Sequence, residues 1–172
     1  MDHKMEPGGP IFTAPFSVTL NTTLPYDLYC VTAPSNSRVA IREIRLGQFT
    51  EFGDAAAELL PLSLMTGCTS LSSGGAAITP VNRVGWPAGQ DADVTALAAS
   101  TSTLHSTASA ERLHVGGFGM DSGQYCYEPC LPPVLNYSQR FHARFTAQST
   151  EGVLGEMGMT LTFRELGRVP GH

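Results

Sequence analysis

The chain has 172 residues, a formal net charge of -5 and only 15% charged residues, against 18 glycines and 12 prolines. That length suits one domain whose core needs no metal or disulfide staple, and the charge argues against a surface built to neutralise a phosphate backbone. No apolar run approaches the ~20 residues that span a bilayer, and long amphipathic helical patterns are absent.

Residues 1–10 (MDHKMEPGGP) are polar, carry no signal-peptide core and are punctuated by PGGP. They predict a flexible arm that orders against a neighbour, on a chain made and kept in the cytosol until assembly. In IFTAPFSVTLN, Phe16, Val18 and Leu20 alternate with Ser17, Thr19 and Asn21, the two-residue period of a half-buried strand over 11–21. LYCVT predicts a short strand over 28–32. Pro34-Ser35-Asn36-Ser37 then supplies a turn.

RVAIREIRLGQ predicts a strand over 38–48. Val39 and Ile41 share one parity and Ile44 and Leu46 the other, so the period slips near Arg42 and Glu43, as a β-bulge requires. Residues 51–58 have the composition of a single helical turn with Asp54 as N-cap. In the next strand, 59–68, Leu60, Leu62, Leu64 and Cys68 keep one parity while Leu59, Pro61 and Met65 keep the other. Both faces are therefore expected to be covered, with Pro61 at a strand start or edge.

From Ser70 to Asp93 small residues and turn formers predict a long loop. Its Trp86, between Gly85 and Pro87, is a candidate partner contact, because Trp is favoured at binding hot spots; the other reading is a ring that pins its own loop to the body. VTALAASTSTL predicts a weakly specified strand over 94–104, and ERLHV another over 111–115 with Leu113 and Val115 inward. GGFGMDSGQ (116–124) predicts a loop with positive φ. It lacks the Gly-Lys-Ser/Thr and following helix of a phosphate cradle. YCYEPCLPP (125–133) predicts a connector in which Tyr125 and Tyr127 pack at an edge or an interface.

The clearest alternation closes the chain: Phe141, Ala143, Phe145 and Ala147 in one strand (139–147), Met157, Met159, Leu161 and Phe163 in the other (157–166). The polar link 149–152 predicts a hairpin with a longer loop. Residues 167–172 form a tail.

Chemistry-bearing residues do not converge. The five histidines, His3, His105, His114, His142 and His172, are scattered, and His114 and His142 are expected on strand faces, exposed or locally satisfied. Cys30, Cys68, Cys126 and Cys130 read as buried thiols, with a local Cys126 to Cys130 bridge as the alternative; four-Cys zinc sites need two close pairs. Asp91 and Asp93 are a fragment of the roughly six to eight oxygens that calcium takes. Ser72-Ser73-Gly74-Gly75 lacks the frame of a nucleophile elbow. No catalytic, cofactor-binding or metal-binding residue is assigned, and the chain is expected not to be an enzyme.

About eight strands with irregular connections predict an all-β fold, a two-sheet antiparallel sandwich of the jelly-roll kind. One domain over 11–166 is flanked by the arm and the tail.

Ile41 to Asn82, IREIRLGQFTEFGDAAAELLPLSLMTGCTSLSSGGAAITPVN, resembles a family of small virion proteins of tailed bacteriophages and their prophages. The shared succession is a strand, a Leu-Gly-Gln step, Gly-Asp-Ala before Glu-Leu-Leu, a second strand, and Ser-Gly-Gly before Thr-Pro-Val. GMTLTFREL (Gly158 to Leu166) is similar to the ending of those chains, so the resemblance covers about a third of the sequence. It departs from the family at Cys126-x-x-x-Cys130 and around Trp86. The resemblance implies a β-sandwich decoration or cement protein on the capsid surface, often trimeric, that binds the major capsid protein and needs no cofactor, nucleic acid or membrane. The competing expectation is a carbohydrate- or receptor-binding module of a head or tail fibre, with Trp86, Tyr125 and Tyr127 stacking on sugar rings.

Overall fold

The computed structural model describes residues 9–21, 26–48, 59–68, 75–83, 91–100, 110–119, 124–146 and 153–167. Twelve strands run through these residues: β1 (Ile11–Asn21), β2 (Tyr26–Thr32), β3 (Arg38–Gln48), β4 (Leu59–Thr66), β5 (Ala76–Ile78), β6 (Val81–Asn82), β7 (Thr95–Ser100), β8 (Glu111–Gly119), β9 (Gln124–Tyr127), β10 (Val134–Leu135), β11 (Arg140–Phe145) and β12 (Val153–Leu166). They build two six-stranded antiparallel sheets packed face to face. The first runs β10-β3-β12-β1-β6, with β9 also paired to β3; the second runs β5-β7-β2-β11-β4-β8.

Strand alternation fills the space between the sheets. Phe12, Ile41, Ile44, Leu161 and Phe163 from the first sheet meet Tyr29, Val31, Leu60, Leu62, Leu64, Phe141 and Phe145 from the second, all essentially buried. Phe12 stacks on Phe163 with centroids 5.6 Å apart. Tyr29 ties the layers by donating its hydroxyl to the Ala14 carbonyl at 2.8 Å, which satisfies the polar end of a buried ring.

The slip expected near Arg42 is present. Glu43 faces Thr162 and Ile41 faces Phe163, leaving Arg42 without a partner across the ladder. This extra residue turns both halves of β3 toward the interior, so Val39, Ile41, Ile44 and Leu46 are all buried. The expectation for β4 also holds: Leu60, Leu62 and Leu64 face the core, and Ser63 and Met65 on the opposite parity are buried as well.

Other expectations are corrected. The closing pair is not a hairpin, because β11 lies in the second sheet and β12 in the first; alternation reports which side chains share a face, and two faces that meet across the sandwich show the same pattern as two that pair. Nor is β11 half-buried: His142 is fully buried and Arg144 nearly so. Residues 116–119 extend β8 against residues 59–62 of β4 instead of forming a loop, Leu113 and Val115 of β8, expected inward, are exposed on its outer side, and among the described residues positive φ occurs at Gly67, Ser138 and Gly167. Gln124, expected at the end of a loop, and residues 125–127, expected in a connector, are strand β9. The second strand begins at Tyr26 and the last at Val153, and the segment expected as one long loop contains β5 and β6.

The arm up to Gly8, the helical turn at 51–58, Trp86, the end of the expected strand beyond Ser100 and the tail beyond Gly167 lie outside the described residues.

Candidate functional site

The outward face of the first sheet carries two depressions. Register places Pro15, Thr160, Arg45 and Cys126 in one row across β1, β12, β3 and β9, and Ser17, Gly158, Gly47 and Gln124 in the next. Gly158 and Gly47 are neighbours at the centre of the second row, where a sheet normally carries side chains. Their missing side chains open a trough of about 890 Å³ whose walls include Arg45, Gln124, Ser17 and Thr160. A Cβ built on Gly47 meets nothing within 4 Å. Glycine inside a strand often marks a place where another backbone or a ligand approaches closely.

A second depression of about 300 Å³ lies one row away, lined by Ile11, Arg42, Glu43, Arg83, Glu128 and Thr162. Arg42, the unpaired residue of the bulge, is exposed and lines it. Arg83 is held there by its backbone N–H, which donates to the Ile11 carbonyl at 2.8 Å. Glu43 accepts from Arg45 Nε at 2.5 Å and from Thr162 Oγ1 at 3.5 Å. The Arg45 side chain is 66% exposed and that of Glu43 13%. The hydrogen bond and charge of Glu43, with smaller contributions from Cys126 and Glu128, hold the Arg45 guanidinium above its ordinary range.

Glu43, Cys126 and Glu128 bring one ligand atom each within 4.8 Å of one another, so by distance they could hold a metal ion. A thiolate with two carboxylates is a mixed soft and hard set, and Arg45 already compensates their charge. We assign no metal there. None of the four thiols is in a disulfide. Cys30 and Cys68 are buried as expected, whereas Cys126 and Cys130 are exposed and unbridged.

Tyr125 and Tyr127 project from β9 toward β8, with ring centroids 6.5 Å and 4.9 Å from that of His114. Both rings are half-buried, and the Tyr125 hydroxyl is buried without a hydrogen-bond partner. Burial, helped by Tyr127 and Cys126, pushes the Tyr125 phenol up to about 12, and burial also raises that of Tyr127. The two tyrosines and His114 thus close the gap between the sheets at their β8/β9 edge. The structure brings these two candidates together, while Trp86 lies outside the described residues. His114 is half-buried in this edge cluster.

Sequence reasoning passed over the trough. Its signal was a glycine within each of two strands, Gly47 and Gly158, but only pairing reveals that the two adjoin.

Elsewhere, ionisable groups serve the fold. Asp27 and Arg144 pair within the second sheet, and the buried Glu165 carboxylate accepts the backbone N–H of Asp93 at 2.8 Å and of Val94 at 3.3 Å. This holds the chain entering β7 against β12. Comparison with protein-family models, with curated proteins and with solved structures finds no match for this chain.

Proposed function

We propose that the chain is a non-enzymatic structural virion protein: a decoration, or cement, protein that binds the major capsid protein of a tailed bacteriophage and stabilises its shell. It is made in the host cytoplasm, sits on the capsid surface and assembles as a homotrimer. The observation that carries this reading is the strand order. With β5, β6, β7 and β10 set aside, the remaining strands run β9-β3-β12-β1 and β2-β11-β4-β8. We read this order as a jelly roll, an arrangement of two Greek keys that recurs in viral capsid domains.

Fold by itself assigns no function. The virion family enters through the resemblance carried by Ile41 to Asn82 and Gly158 to Leu166. A rigid sandwich suits the role, since its buried charges are committed to structure and its contribution would come from many weak contacts repeated over a lattice.

The test is stoichiometric. Purified particles carrying this protein are expected to hold about one copy or more per several shell subunits, and particles stripped of it to rupture at lower temperature. Far fewer copies, or copies confined to the tail tip, would overturn the reading. The solution mass tests the trimer.

A further inference from the structure

We propose that the outward face of the first sheet is a docking face for an acidic, extended segment of a partner protein. Charge is the first ground. In a chain of net charge -5, this face gathers Arg42, Arg45, Arg83 and Arg164 around two carboxylates, Glu43 and Glu128. Glu43 is already engaged by Arg45 and Thr162. Arg42 and Arg83 are exposed, and among the described residues neither carries an ion pair. The Arg164 Nε is buried without a hydrogen-bond partner. The Arg42 and Arg83 guanidinium groups therefore offer forked donors, the geometry that carboxylates fill in pairs.

Shape is the second ground. The trough over Gly47 and Gly158 crosses β1, β12, β3 and β9 and lies one row from the arginine-lined depression. An extended backbone can settle on the glycine floor, with Ser17, Gln124 and Thr160 in reach of its amides, while its carboxylates meet Arg42 and Arg83. A nucleic acid fits less well, because a chain of net charge -5 lacks the broad basic surface that a phosphate backbone needs. The proposal rests on the shell-binding reading only for the partner's identity.

The probe is a fluorescein-labelled peptide of alternating aspartate and glycine, followed by anisotropy at low and at high salt. The full chain is expected to bind it, more weakly as salt rises, and Arg42→Glu/Arg83→Glu is expected to weaken binding by at least about tenfold. Arg112→Glu, on β8 of the other sheet, should leave binding unchanged. Gly47→Trp fills the trough from a floor position with open space above it and should also abolish binding in a folded protein.

Equal binding of an oligonucleotide, equal loss with Arg112→Glu, or full binding by both the double variant and Gly47→Trp would overturn the proposal. The two readings separate cleanly. Particles that carry the double variant at full copy number sink the docking face and spare the decoration role; peptide binding by a chain that never decorates particles does the reverse.

Discussion

Arg144 and Asp27 face each other from β11 and β2 through two hydrogen bonds, Nε to Oδ1 at 2.6 Å and Nη2 to Oδ2 at 3.1 Å. The register makes this contact. Ala143 lies opposite Tyr29, the ladder then skips Leu28, and Arg144 lies opposite Asp27. Without that bulge Arg144 would face Leu28, and Asp27 would lie one position off.

Both members are buried, so removing one strands the other's charge. Asp27→Asn or Arg144→Met is expected to cost about 3–5 kcal/mol in urea unfolding, while Asp27→Leu/Arg144→Met together recover most of that loss. Single-variant losses below ~1 kcal/mol would show that the pair does not hold β2 to β11.

Three glycines separate by what surrounds them. A Cβ on Gly9 would collide with the Glu165 carbonyl oxygen, so Gly9→Ala should detach residues 9–10 from β12 and expose the Glu165 amide, which now donates to the Pro10 carbonyl, to hydrogen exchange. A Cβ on Gly116 meets Tyr125 atoms at 3.0 Å and His114 Nε2 at 3.1 Å; Gly116→Ala is expected to cost about 1–3 kcal/mol by overpacking the edge. Gly47→Ala meets nothing and should stay within about 0.5 kcal/mol of the parent.

Glu165 is buried and receives two backbone N–H groups from the segment entering β7. Glu165→Ala leaves both without their acceptor and is expected to cost about 2–3 kcal/mol. Glu165→Gln keeps an oxygen acceptor and should cost less. Amide exchange at Val94 should accelerate in the alanine variant first.

Burial pushes the Cys68 thiol from 9.0 up to about 11, with Arg144 opposing and Asp27 and Cys30 adding to the rise. The folded chain therefore keeps a proton that the unfolded chain loses. Stability should hold below about pH 9 and fall as pH rises toward about 11, and Cys68→Ala should flatten that part of the curve. Buried tyrosines steepen the decline above pH 10 in both proteins. At neutral pH, Cys126 and Cys130 should react with a thiol reagent well before Cys30 and Cys68.

What was legible in the chain was local. The periodicity of residues 11–21, 38–48 and 157–166 marked strands, and the parity slip at Arg42 marked a bulge, because these signals need only a few consecutive side chains. The shortest strands, β5, β6 and β10, have too few residues to show a period. β9 was hidden by a different cause: Gln124–Tyr127 sits beside Pro129 and Cys130 in a stretch whose composition is that of a connector, and its pairing with β3 is a long-range contact.

The sequence by itself determined that this protein is built of strands and, in β1, β3 and β12, which side chains turn inward, since alternation is enforced by the backbone's own geometry; on β8 it misled, because Leu113 and Val115 are exposed. Tertiary structure alone decided which strands adjoin. That choice put β11 and β12 in different sheets, buried Asp27 against Arg144, and set Gly47 beside Gly158 to open the trough. Pairing is fixed by how whole faces bury one another, and a pattern with period two is the same whichever neighbour a strand takes.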